Sequence, residues 1–138
     1  MILDIRYDFQ RSERIGLIEA IWGENKNIDQ LKRVTKNVLD KKEMVFITRI
    51  NKEKANILLE LYVEAKFYDE AKCLIIGENS NKVKTNKKIA IISGGSSDLA
   101  VTLEAKLSLE IYGVSCQSFI DVGVAGLHRL LNQIDEIN

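Results

Sequence analysis

The chain has 138 residues, 46% hydrophobic and 29% charged, with 20 Lys/Arg balancing 20 Asp/Glu. That composition belongs to a folded domain and excludes a disordered polyelectrolyte, while the neutral balance argues against nucleic acid as a partner. No apolar stretch approaches the roughly 18 residues that cross a bilayer, and the opening M-I-L-D-I-R-Y-D has early acids and no signal-like apolar run, so a cytoplasmic protein without membrane contact is expected.

This length suits one or two small domains. A chain of this size buries about 68% of its unfolded surface, enough for a core without covalent staples. The two cysteines, Cys73 and Cys116, each sit in an apolar strand-like segment and read as plain buried thiols in a reducing compartment. Their spacing matches no zinc motif. Charge is mildly uneven: residues 1–87 hold 17 basic and 14 acidic side chains, and residues 88–138 hold 3 and 6. A solvated surface accounts for that better than a polyanion site.

In chain order, Glu19–Gly23 (E-A-I-W-G) reads as a short strand. Asp29–Lys41 places Leu31, Val34, Val38 and Leu39 on one helical face. Met44–Arg49 (M-V-F-I-T-R) is an apolar strand bounded by charge. Asn51 is placed to cap a helix carrying Ala55, Leu58, Leu61, Tyr62 and Ala65. Ala71–Gly77 (A-K-C-L-I-I-G) is a strand closed by glycine. Residues 78–88 are polar, lysine-rich and without apolar periodicity, which marks a linker.

Alternation then resumes. Ile89–Ile92 reads as a buried strand, and Asp98–Ile111 as a helix with Leu99, Leu103, Leu107 and Ile111 on one face and Gly113 at its end. Val114–Val122 is the next strand, and Gly126–Ile134 begins another helix. Strand–helix–strand units with apolar strands imply a parallel sheet covered by helices. The expectation is therefore an α/β protein: a small N-terminal α/β domain over 1–85, then a β-α-β-α unit over 86–138. Two strands are few for a parallel sheet buried on both faces. Joining the earlier strands, pairing with another chain, or continuation in further chain would each resolve this, and continuation is favoured.

Two strand-to-helix junctions carry the chemistry. The first is Ser93-Gly94-Gly95-Ser96-Ser97-Asp98. In open α/β sheets ligands bind beyond the carboxyl ends of the strands. Paired glycines there permit close backbone approach, and Ser96 and Ser97 add hydroxyls beside a helix start. This is a ready anion site, best suited to a phosphate. Asp98 is placed to cap the helix or to accept hydrogen bonds from a ribose. A glycine turn followed by a helix capped by Ser97 or Asp98 explains the same residues without a ligand. Neither the P-loop nor the Rossmann glycine pattern is present.

The second junction is D-V-G-V-A-G-L-H-R, Asp121 to Arg129, which contains the only histidine. Consecutive parallel strands put their following loops on one edge, so Gly126, His128 and Arg129 are expected to share a pocket with the first turn. His128 is a candidate proton shuttle near neutral pH, and Arg129 a candidate bidentate anion ligand. An exposed His-Arg pair on a helix start is the plain alternative.

These two strings, S-G-G-S-S-D and D-V-G-V-A-G-L-H-R-L-L, together resemble the LarB family, whose members carry a domain similar to the aminoimidazole ribonucleotide carboxylase PurE. Asp8, Arg11, Arg14, Gly16, Glu19, Gly23, Lys26 and Thr48-Arg49 resemble that family's N-terminal pattern, so the resemblance covers nearly the whole chain. It implies a PurE-like (flavodoxin-like) second domain and a pyridinium-3,5-dicarboxylic acid mononucleotide synthase of nickel-pincer cofactor biosynthesis. The reaction implied is carboxylation of nicotinic acid adenine dinucleotide with bicarbonate or CO2, with phosphoanhydride hydrolysis releasing AMP. By resemblance, Gly94, Gly95, Ser96, Ser97 and Asp98 hold phosphate and ribose, His128 and Arg129 lie near reacting or anionic groups, Mg2+ is a candidate cofactor, and the protein is a homo-oligomer.

The chain departs from the family pattern at Ile18, where proline is usual, and at Ser96, where threonine is usual. PurE usually has serine where this chain has Gly95, which favours LarB over PurE. The family's covalent cysteine and later glycine-rich loops are not matched, and no role passes to Cys73 or Cys116. The expectation is thus an N-terminal portion of a LarB-like enzyme that is inactive alone. A non-catalytic nucleotide-binding or assembly module is one alternative. A carboxylase or mutase of purine synthesis is the other.

Overall fold

The computed structural model describes residues 6–137. The first five residues, part of the N-terminal stretch read above for a signal, lie outside it. The described chain separates into two compact units, divided between Asn81 and Lys82.

The first unit runs α1 (Arg11–Ile15), β1 (Ile21–Trp22), α2 (Ile28–Asp40), β2 (Val45–Thr48), α3 (Lys52–Leu61), β3 (Lys66–Tyr68) and β4 (Cys73–Ile76). Helix α2 starts at a capping box: Asn27 Oδ1 accepts from Gln30 N at 2.9 Å, and Gln30 Oε1 accepts from Asn27 N at 3.0 Å. Its buried residues Leu31, Val34, Thr35 and Val38 follow the three–four spacing of one helical face. Asn51 caps α3 through Lys54 N at 2.9 Å, and Ala55 and Leu58 bury one turn later. These faces pack with Val45, Ile47, Ile50, Leu74 and Ile76 into the core.

The four strands stand in the order β1-β2-β4-β3. β1 pairs with β2 in parallel, but β4 is antiparallel to both β2 and β3. The wholly parallel sheet expected from strand–helix alternation is corrected here. β3 was not foreseen, and it is what changes the topology. A tight turn at Asp69–Lys72, closed by Lys72 N to Asp69 O at 3.1 Å, joins β3 to β4. Such a short connection can join only antiparallel neighbours. Lys66-Phe67-Tyr68 carries one half-buried side chain between two exposed ones, which left too little apolar signal to read as a strand.

Several residues of the N-terminal family pattern brace this unit. Arg14 grips Asp8 through two bonds, NH1 to Oδ1 at 3.0 Å and NH2 to Oδ2 at 2.7 Å. Glu19 Oε2 accepts Asp8 N at 2.5 Å, and Gly23 N donates to Thr48 O at 2.8 Å. The Arg49 guanidinium lies 5.9 Å from the Trp22 ring centroid. α1 was likewise absent from the sequence reading; it has five residues and buries none of them.

The second unit is β5 (Lys88–Ile92), a 3-10 turn at Ser96–Asp98, α4 (Leu99–Glu110), β6 (Ser115–Phe119), a second 3-10 turn at Val124–Gly126, α5 (Leu127–Leu131) and α6 (Ile134–Ile137). β5 and β6 are parallel, in register from Lys88↔Ser115 to Ile92↔Phe119. Gly113, at φ 79°, follows α4 and leads into β6. The continuous final helix expected from Gly126 is instead two short helices separated at Asn132–Gln133. β5 also departs from expectation, for Ile89 is 41% and Ile92 50% exposed. An apolar run predicts burial only where a second layer covers it.

Candidate functional site

Parallel pairing puts the carboxyl ends of β5 and β6 side by side, at Ile92 and Phe119. The hydrogen-bond ladder continues past both strands. Ser93 N donates to Phe119 O at 2.9 Å, Val122 N to Ser93 O at 3.1 Å, and Gly123 N to Gly94 O at 3.0 Å. The two turns singled out in the sequence are therefore tied to each other through main chain on one sheet edge. Gly123 has no alternative residue here, because a Cβ would run into the Gly94 carbonyl.

Gly94 and Gly95 differ from it in kind. Neither has a positive φ, and Gly95 is extended at φ −141°. A Cβ on Gly94 would find its nearest neighbour at 3.9 Å, and one on Gly95 at 3.5 Å, both ordinary contacts. The fold requires glycine at neither position. Asp98 turns its carboxylate back on this loop, Oδ2 accepting Gly95 N at 3.0 Å, while Asp98 N donates to Gly95 O at 3.0 Å. Its side chain makes no capping bond to α4. Ser96 and Ser97 are exposed on the 3-10 turn, and Thr102 Oγ1 ties α4 to Asp98 O at 2.9 Å.

On the second turn Arg129 NH1 meets Asp121 Oδ2 at 2.5 Å, both side chains half-exposed. The same guanidinium lies against Gly126, where a Cβ would sit 2.5 Å from Nε. His128 is exposed on α5. The structure thus brings Gly126 and Arg129 together and ties their turn to Gly94. Three further residues belong to the edge that sequence reasoning assigned no role. Asp121 was within the quoted motif, but nothing in spacing pairs it with Arg129 across two broken helical turns. Gly123 is set by a contact distant in sequence. Ser93 Oγ is buried with no hydrogen-bond partner, visible only in three dimensions.

Among the described residues no three His, Cys, Asp or Glu side chains group as ligands for a metal. No helix of the described chain is long and apolar enough to cross a membrane.

Parallel strands, the helices that follow them and two interlocked glycine turns at the carboxyl edge define an α/β protein. Residues 3–78 match the LarB/PurE-like N-terminal domain family, and the chain belongs to that family. An uncharacterized protein of Methanocaldococcus jannaschii is 34% identical over 131 residues, 91% of this chain and 51% of that relative. The similarity therefore extends beyond the first unit into the second. This chain spans about half the length of that relative.

Proposed function

We propose that the second unit binds the phosphate of a nucleotide across its paired turns, and that it does so as part of a LarB-like pyridinium-3,5-dicarboxylic acid mononucleotide synthase. The carrying observation is the pair Gly94-Gly95. Their conformation and surroundings accommodate a side chain, so close approach of something outside the fold is the remaining reason for two glycines. A phosphate against that backbone is the natural candidate, with the Ser96 and Ser97 hydroxyls and Arg129 as further donors. Membership of the LarB/PurE-like family supports nicotinic acid adenine dinucleotide as the substrate. In that reading bicarbonate or CO2 supplies the carboxyl group, AMP is released, and the exposed His128 moves a proton at the reacting or leaving group.

The test is ligand-induced stabilisation. Nicotinic acid adenine dinucleotide or AMP at a hundredfold excess over its dissociation constant stabilises by about 2.7 kcal/mol, a rise of several degrees in Tm. Gly94→Ala/Gly95→Ala should fold normally and lose that rise. An undiminished rise in the alanine variant, or none in the parent protein, would count against the reading.

An assembly role is favoured by a separate observation. Ile89, Ile92, Leu127 and Leu131 are each 41–53% exposed on the second unit, and a two-stranded sheet is rarely stable alone. Self-association of this unit, in a homo-oligomer, is the partner reading that follows. Sedimentation of a single 15.7 kDa species at high concentration would exclude it.

A further inference from the structure

Asp121, Gly126 and Arg129 form a cluster that the phosphate reading uses only through its arginine. NH1 of Arg129 donates to Asp121 Oδ2 at 2.5 Å. A Cβ at residue 126 would lie 2.5 Å from Nε and 2.8 Å from NH2 of the same guanidinium. Glycine at 126 thus leaves the space that the guanidinium occupies. Asp121 stands at φ 60°, where aspartate and asparagine are the most readily tolerated side chains after glycine.

The Arg129 and Asp121 side chains are 40% and 50% exposed. An ion pair so open to water adds little to stability. Stability is therefore a poor account of three residues fitted this closely. Preorganisation is a better one. A long, mobile guanidinium gives up rotamer freedom when it captures an anion, and one already pinned gives up less. The fork carries five N–H donors, and the Asp121 bond occupies one end of it.

We propose that Asp121 is a positioning residue which, with Gly126, holds the Arg129 guanidinium ready to receive a phosphate or carboxylate group. The proposal rests on the reading of this edge as an anion site. Asparagine at 121 keeps the shape and the left-handed turn but removes the charge that fixes the guanidinium. Glutamate keeps the charge at a longer reach.

The test compares the parent protein with Asp121→Asn, Asp121→Glu and Gly126→Ala. Calorimetry measures binding of inorganic phosphate and AMP, and NMR measures exchange with water of the Arg129 Nη1 protons that face Asp121. Asp121→Asn should weaken both ligands about tenfold, with Asp121→Glu recovering part of the loss and the parent Tm nearly kept. Exchange of those Nη1 protons should be slower in the parent than in Asp121→Asn and Gly126→Ala. Unchanged affinity in Asp121→Asn would overturn the proposal, and so would tighter binding, which would make Asp121 a competitor for Arg129. Phosphate binding without AMP binding would remove the nucleotide reading and leave the receptor standing. No binding of either by the parent would overturn the receptor role itself.

Discussion

Gly123 donates its N–H to the carbonyl of Gly94 at 3.0 Å, with no room for a side chain between them. The residues are 29 positions apart by number, and their contact turns two loops into one edge. Gly123→Ala should therefore force the turns apart and destabilise the second unit by about 1–3 kcal/mol. Hydrogen exchange in peptides covering Ser93 and Val122 should accelerate, with no change in the first unit. Gly94→Ala, on the other side of the same bond, should alter exchange little.

The first unit should respond to its core in the ordinary way. Leu58 and Leu31 are fully buried, and truncation of either to alanine should cost about 2–5 kcal/mol. Asn27→Ala removes one half of the α2 capping box and should cost about 1 kcal/mol. The fluorescence of the only tryptophan, Trp22, reports the unfolding of this unit in denaturant. A Leu58→Ala midpoint equal to the parent's would contradict the assigned core.

The Asp8–Arg14 pair predicts a pH dependence with a defined sign. The Arg14 side-chain hydrogen bonds, before any other cause, hold the Asp8 carboxyl below its ordinary value of 3.8. A carboxyl lowered by folding stabilises above its unfolded pKa, and the contribution disappears as pH falls through the folded value. Asp8→Asn should thus lower Tm slightly at pH 7, and the gap should close in acid as the carboxyl protonates below its ordinary range. Because both groups are exposed, the effect is small. A gap that persists in acid would assign the loss to packing instead.

The cysteines should behave as inert thiols, in two grades. Burial, followed by the nearby Glu110 charge, pushes the Cys116 thiol up from its ordinary value of 9.0. Less of it is thiolate at pH 8 than in a free cysteine. Iodoacetamide should modify Cys116 more slowly than a model thiol, and Cys73, which is fully buried, only on unfolding. Rapid labelling of Cys73 in the native protein would contradict its placement in β4.

Much of this protein was legible without coordinates. The three–four spacing of Leu31, Val34 and Val38, the capping residue Asn51, and the apolar runs of β2 and β4 each describe local structure, and local structure is written in neighbouring residues. The two candidate turns were visible for the same reason, as breaks between a strand pattern and a helix pattern. Tertiary structure decided the rest. The antiparallel setting of β4 depends on β3, three residues whose pairing partners, not their own hydrophobicity, make them a strand. Exposure of Ile89 and Ile92 depends on which layers cover β5, which the apolar run cannot state. Most of all, the difference between a glycine the fold demands, Gly123, and glycines it does not, Gly94 and Gly95, lies in what stands opposite each Cα. A sequence records that a side chain is missing. Only packing shows whether the protein itself fills the space.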